Sequence, residues 1–132
     1  MGANEGRAMR RAGGLIGLTS MMLTACSPPA IDSGTADPDA IARGKAAAYR
    51  LGCGACHAMP GIDWPQGRVG PPLAGFGDRA LIAGELPNRP APLARFVRDA
   101  PALIPGTTMP AIAMSERDAR DIAAWLSSLH DE

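Results

Sequence analysis

Aromatic side chains are scarce in this chain, with two tryptophans, two phenylalanines and one tyrosine among 132 residues. Hydrophobic residues reach 46%, so the apolar material is mostly Ala, Leu, Ile, Val and Met. Each of these buries little area, and a core made of polypeptide alone would be thin. No alternating strand pattern, internal repeat or long charge run is present, which leaves no basis for a β-rich or repeat architecture. Charge of one sign is also missing. The formal net charge is zero, and without residues 1 to 25 it becomes −2, from 10 basic and 12 acidic residues. Nucleic acid is therefore no partner. Three cysteines, Cys26, Cys53 and Cys56, rule out a simple disulfide framework by their odd number. What the chain has in plenty is glycine (16) and proline (13), a composition of long turns wrapped around something other than protein.

The N-terminus reads as an address. Arg10 and Arg11 precede an uncharged apolar run from Ala12 to Leu23, the n-region and h-region of a secretory signal, and the run stops at Cys26, too short to span a bilayer comfortably. The junction Leu23-Thr24-Ala25-Cys26 resembles the lipobox of bacterial lipoproteins, in which the cysteine is diacylated and becomes the first residue of the mature chain. The alternative is a plain cleaved signal that leaves Cys26 as an incidental thiol. Expected boundaries are a signal peptide at 1–25, a flexible tether at 26–37 and one domain at 38–132. The expected location is the bacterial periplasmic space, lipid-anchored to a membrane through Cys26.

Within the domain, Asp37-Pro38-Asp39 followed by good helix formers predicts a helix over Ala40 to Leu51, ended by Gly52. Ser115-Glu116-Arg117-Asp118 has the form of a capping box. Ala119, Ile122, Ala123, Leu126 and Leu129 then recur at helical spacing through Trp125 to His130. A shorter helix is expected from Pro92 to Asp99, with Leu93, Phe96 and Val97 on one side, and a single turn from Arg79 to Ala83. The rest reads as loop.

Cys53-Gly54-Ala55-Cys56-His57 is a C-x-x-C-H sequence. Two thiols one helical turn apart can add to the two vinyl groups on one edge of a porphyrin, and His57, next in the chain, then lies beneath the iron as proximal ligand. Other uses of the same residues fit less well. A thioredoxin-like pair wants a βαβ pattern, a zinc site wants a second ligand pair where only His130 remains, and a Cys-His hydrolase wants a third orienting residue. Further on, Pro105-Gly106-Thr107-Thr108-Met109-Pro110 offers a thioether between restricting prolines, a soft neutral ligand that favours ferrous iron. Of the methionines beyond the signal, Met59 is too close to His57 to reach the opposite face of a porphyrin, and Met114 precedes the final helix as an apolar staple.

Arg43-Gly44-Lys45, the C-x-x-C-H segment, Val69-Gly70-Pro71-Pro72-Leu73, Gly106-Thr107-Thr108-Met109-Pro110 and the last amphipathic helix together resemble class I cytochrome c, over roughly Ile41 to Leu129. The resemblance implies an all-α fold in which N- and C-terminal helices cross beside one covalently attached haem c, with long Gly/Pro-rich loops. Gly44 or a neighbouring Ala would lie close to Trp125 at the crossing. It also implies that Cys53 and Cys56 attach the haem, that His57 and Met109 bind the iron, and that the Pro71 carbonyl accepts a hydrogen bond from His57. Ile82 to Asn88 and Ser115 to Leu126 are similar to bacterial cytochromes found alone or fused to subunit II of haem-copper oxidases. Two departures stand out. Gly44 and Tyr49 are five apart where mitochondrial-type proteins place Gly and an aromatic four apart, and Lys45 is the only lysine, so a docking ring of lysines is missing.

The function expected from this is single-electron transfer without catalysis, in a respiratory chain, donating to a terminal oxidase or accepting from a dehydrogenase, with no small-molecule substrate at the iron. The alternative is a haem enzyme or gas sensor with a labile sixth ligand. Charge is uneven along the domain: Arg68 to Arg98 carry a local +3 and Asp99 to Glu132 a local −4. If the arginines frame the haem edge, docking to an acidic partner is electrostatically steered.

Overall fold

Asp37 is already a helix cap. In the computed structural model, which describes residues 37–131, its carboxylate accepts a hydrogen bond from Asp39 N at 3.0 Å and Pro38 occupies the first turn, where a missing N–H costs nothing. Helix α1 runs Pro38–Arg50. The signal segment, Cys26 and the tether up to residue 36 lie outside the described residues. After α1 the chain turns through Gly52 at φ 75° into a short 3-10 turn, Cys53–Ala55.

The last helix, α4 (Glu116–Ser127), begins at Ser115. Ser115 Oγ accepts from Asp118 N at 3.0 Å and donates to the Asp118 carboxylate at 2.9 Å. The acidic partner of this box thus returns to the serine hydroxyl rather than to the backbone. Between the two lie a β-hairpin of two-residue strands, β1 (Leu81–Ile82) and β2 (Leu86–Pro87), then α2 (Pro90–Arg98) and α3 (Ala100–Leu103). The hairpin replaces the single turn expected from Arg79 to Ala83. Its tip, Ala83-Gly84, takes positive φ at both residues, the pairing a tight antiparallel reversal needs. Helix α2 starts two residues before Pro92, because Pro90 sits as well in a first turn as Pro92 does. Asp99 ends α2 and caps α3 by accepting from Ala102 N at 3.2 Å.

Helices α1 and α4 pack closely because one residue has no side chain. A Cβ on Gly44 would lie 2.9 Å from Ile122 N and closer still to the carbonyl of Asp121. Gly44 therefore meets the backbone of Asp121 and Ile122, while Trp125, a turn further on, faces the interior and shares a cavity wall with Ala48 of α1. Two ion pairs flank the crossing. Arg43 grips Asp121 with Nε at 2.8 Å and Nη2 at 3.2 Å, and Arg50 Nη2 donates to Asp118 at 2.7 Å. Asp121 is buried, and the two-pronged arginine satisfies both its oxygens. The core joins Ala47 and Ala48 of α1, Leu93, Phe96 and Val97 of α2, and Ile122, Trp125 and Leu126 of α4. No helix among the described residues is long and apolar enough to cross a membrane.

Candidate functional site

The core does not close on itself. A cavity of about 400 Å³ opens between the helices, walled by Ala48, Leu93, Phe96, Val97, Ile122, Trp125 and Leu126 from α1, α2 and α4. Loops complete it with Val69, Gly70, Pro71, Leu73 and Phe76, the hairpin with Leu81, Ile82, Ala83 and Gly84, and the last loop with Thr107, Thr108, Met109, Pro110, Ile112 and Met114. Cys53, Cys56 and His57 face the same space. The lining is almost wholly apolar, and Arg79 is its one ionised side chain.

Each chemical group is placed by local structure. The 3-10 turn from Gly52 presents Cys53 and Cys56 as half-buried free thiols, and His57 N donates to Cys53 O at 3.0 Å, continuing the turn. Burial pushes the Cys53 thiol pKa up, the opposite of the depressed value that a nucleophilic or redox-active Cys-x-x-Cys pair uses. Among the described residues no three His, Cys, Asp or Glu side chains converge on a common point, so a zinc centre of that kind is not built here.

His57 is held from one side. Its Nδ1 lies 2.7 Å from the Pro71 carbonyl oxygen, which can only accept, so Nδ1 carries the proton and Nε2 keeps its lone pair for another partner. Gly70 makes this approach possible: a Cβ there would fall 2.6 Å from Nδ1 and 2.9 Å from Nε2 of the ring. Gly70 N donates to Cys56 O at 2.8 Å, which stitches the Val69–Pro71 segment to the C-x-x-C-H turn.

Met109 and Met114, both half-buried, line the cavity; Met59 does not, and packs instead in the core at 2% exposure. The cavity alone thus removes Met59 from the candidate thioethers and keeps two. Met109 lies in an irregular turn, its backbone N donating to Thr107 Oγ1 at 3.3 Å, whereas Met114 is fixed directly before the Ser115 cap.

Several contributors carry no motif. Arg79 lies over the Phe76 ring at 5.3 Å and donates to Pro72 O at 2.7 Å. Asn88 Nδ2 donates to Phe76 O at 3.0 Å and Arg79 O at 2.9 Å, tying the hairpin to the wall of the cavity. Gln66 bonds both Met59 N and Met59 O at 2.9 Å and so clamps the loop behind the C-x-x-C-H turn. The C-terminal strap holds the Phe76–Asp78 turn: His130 Nδ1 lies 2.6 Å from Asp78, and Gly77 N donates to Leu129 O at 2.7 Å. These long-range contacts have no local sequence signal.

A flat apolar group with a metal at its centre suits this donor set: an apolar slot, two thiols and an imidazole in sequence, and thioethers on the same cavity. The cytochrome c family model matches residues 41–130. The chain belongs to the cytochrome c family. Members of this family carry haem c and transfer electrons, and the mostly helical architecture around one cavity is that of class I cytochrome c. Two relatives are subunits of oxidases. Over 78 residues the chain is 40% identical to cytochrome c oxidase subunit 2 of Alkalihalophilus pseudofirmus, covering 58% of this chain and 22% of that one. Over 73 residues it is 37% identical to cytochrome c oxidase subunit 2 of a Bacillus species, covering 54% and 20%. The match spans only about a fifth of the length of these relatives.

Proposed function

We propose that this cytochrome c domain is a one-electron carrier with a single haem c, joined through thioethers to Cys53 and Cys56 and ligated by His57 and Met109. The observation that carries this reading is the convergence of those four side chains on one apolar cavity, with the Nδ1 of His57 already committed to Pro71 O at 2.7 Å. When bound, haem c supplies an iron that holds or gives up one electron at a time. The protein's part is to orient and to exclude. The Pro71 carbonyl fixes the His57 tautomer and raises its basicity as a ligand through Nε2. Gly70 leaves the ring no side chain to tilt against. Phe76, Ile82, Leu93, Trp125 and Leu126 keep water from the iron, and a thioether from Met109 raises the reduction potential relative to a second nitrogen. Both coordination positions are then filled by protein, which leaves no room for a substrate and makes the chain a carrier rather than a catalyst.

The likeness to two oxidase subunits supports a place in a respiratory chain, giving electrons to a terminal oxidase or taking them from a dehydrogenase. The signal at 1–25, the lipobox cysteine Cys26 and the tether at 26–37 support a domain, 38–132, held at a membrane on the periplasmic side by a lipid on Cys26. The test is to produce the chain with haem-attachment machinery and record its spectra and a redox titration. One haem per chain, resistant to acid-acetone extraction, a one-electron wave and a sulfur-to-iron charge-transfer band in the ferric form are expected. Extractable haem would overturn the covalent attachment, and a high-spin ferric spectrum would overturn the closed iron and favour a ligand-binding enzyme or sensor.

A further inference from the structure

The loop behind the C-x-x-C-H turn is held from several sides, yet it gives its largest side chain to solvent. Gln66 clamps it, bonding Met59 N and Met59 O at 2.9 Å and donating also to Ile62 O. Gly67 N donates to Gly54 O at 2.8 Å, and Pro65 packs on Gly54, where a Cβ would fall 2.6 Å from Pro65 O. Trp64, between these anchors, is 79% exposed. The same loop reaches α1: a Cβ on Gly61 would lie 2.5 Å from Nζ of Lys45, the one lysine of the chain. Tyr49, 57% exposed, follows Lys45 by one turn on the same side of the helix. An indole, a phenol and an ammonium, each with an apolar body and a polar tip, thus stand on two touching elements. Of Asp, Glu, Lys and Arg, residues 51–68 carry only Asp63 and Arg68, both exposed and opposite in sign, and Arg50, beside Tyr49, is paired with Asp118 at 2.7 Å.

We propose that Trp64, supported by Tyr49 and Lys45, seats in the headgroup layer of the bilayer that holds the lipid on Cys26, and so sets the attitude of the domain to the membrane. The proposal rests on the lipid-anchor reading. Ten residues, 27–36, separate Cys26 from Asp37, so this leash spans at most about 40 Å and keeps the domain beside lipid. The loop meets α1 at Lys45, about 12 Å along the helix axis from Asp37, where the leash enters. A short leash entering near the loop gives it a high local concentration of lipid, and a weak contact then suffices. Side-chain chemistry decides the occupant: an indole N–H and a tyrosine hydroxyl favour a layer that is apolar on one side and wet on the other. Asp63 and Arg68 cancel in charge and stay among zwitterionic headgroups, whereas a strongly acidic or basic protein face would find no net opposite charge on the loop. Because Pro65 bears on Gly54, between the two thiols of the C-x-x-C-H turn, the attitude of the loop passes directly to the haem-attachment turn.

The experiment places the haem-loaded, acylated chain in phosphatidylcholine vesicles. The chain holds two tryptophans, and Trp125 lies in the cavity wall, out of reach of lipid. Bromine on the upper acyl carbons quenches only an indole that touches them. Tryptophan emission should fall about twofold in brominated against plain vesicles, because an interfacial indole sits at that depth. In ferric samples stacked as oriented bilayers, the electron paramagnetic resonance spectrum of the haem should change with the angle of the film to the field. Trp64→Ser, at an exposed position, should keep the absorption spectrum and the attachment to vesicles but lose the bromine-sensitive emission and most of the angular dependence. Equal wild-type emission in the two kinds of vesicle, or Trp64→Ser films as ordered as wild type, overturns the proposal and leaves the loop to a protein partner. A Cys26 peptide without acyl chains in the mass spectrum fails the anchor reading and the proposal with it, whereas an acylated chain with neither quenching nor orientation fails this proposal alone.

Discussion

Replacing Gly44 by alanine puts one methyl group where α1 touches the backbone of α4. The new Cβ would stand 2.9 Å from Ile122 N, against the 3.4 Å at which ordinary contact begins, and nearer still to the Asp121 carbonyl. Backbone atoms cannot rotate aside, so the helices must separate by more than half an ångström. Overpacking of this kind costs about 1–3 kcal/mol. Separation also loosens the Arg43–Asp121 pair, which adds to that cost. Opposing this, alanine is a better helix former than glycine by about 1 kcal/mol. The clash wins, and the net loss is about 2 kcal/mol. For a domain of this size each kcal/mol moves Tm by about 4–8 °C, so thermal melts of the haem-loaded protein followed by circular dichroism should show a drop of about 8–16 °C. Gly52→Ala is the contrast: nothing lies within 4 Å of its Cβ, and only the left-handed backbone at φ 75° opposes the change, at about 1 kcal/mol. A Gly44→Ala protein as stable as wild type, or a Gly52→Ala protein that loses more, would refute the close-approach argument.

Ser115→Ala removes the cap of α4 and should cost about 1 kcal/mol in denaturant titration; it should also let the Asp118 carboxyl titrate higher in an NMR pH series, since the Ser115 hydroxyl is the main group holding it down, with Arg50 second. Asp78 is held below the usual carboxylate range first by the His130 side chain and then by Asp131 N; its stabilisation is present above about pH 4 and lost as pH falls through the lowered folded value, so Asp78→Asn should flatten the acid limb of a plot of stability against pH, and an unchanged limb would speak against the strap. Met109→Ala should abolish the sulfur-to-iron charge-transfer band, lower the reduction potential and admit imidazole or carbon monoxide, while Met114→Ala should keep the band and lose stability through a packing void; the reverse pattern would move the ligand to Met114. Cys26→Ala should release a haem-loaded domain from membranes or block its maturation, and retention of that variant at high salt would count against the lipid anchor.

Both terminal helices were legible in the sequence because their starts rest on neighbouring residues: Asp37 with Pro38, and Ser115 with Asp118. The C-x-x-C-H segment was legible for the same reason, since its chemistry is written in five consecutive positions. What could not be read is what depends on residues far apart. Strands of two residues have no alternation to detect, and α3 is a single turn opened by an aspartate that also ends α2. Gly44 could be seen as a glycine inside a helix, yet nothing nearby in the chain says that it meets Asp121 and Ile122 or that Arg43 grips Asp121. The resemblance placed Gly44 or a neighbouring Ala beside Trp125, and it is Ala48 that shares a cavity wall with Trp125, while Gly44 meets the α4 backbone one turn earlier. The cavity walls at Phe76 and Ile112 read as loop, and Leu81 and Ile82 as part of a single turn, because apolar residues in irregular chain lose their periodicity.

The Arg43–Asp121 contact joins residues 78 apart, and this fixes when in folding the cavity can exist. Closing a chain segment of that length costs about 4 kcal/mol in loop entropy beyond a constant, whereas the turns within α1 or α4 form locally and fast. Non-local pairing of this kind slows the search for the native state. Ala48 near one end and Trp125 near the other must meet before they share a wall, so the cavity exists only once the two ends of the domain are joined. The C-x-x-C-H segment lies only three residues beyond α1, so its two thiols are placed by local structure, whereas the remaining walls depend on the long-range closure.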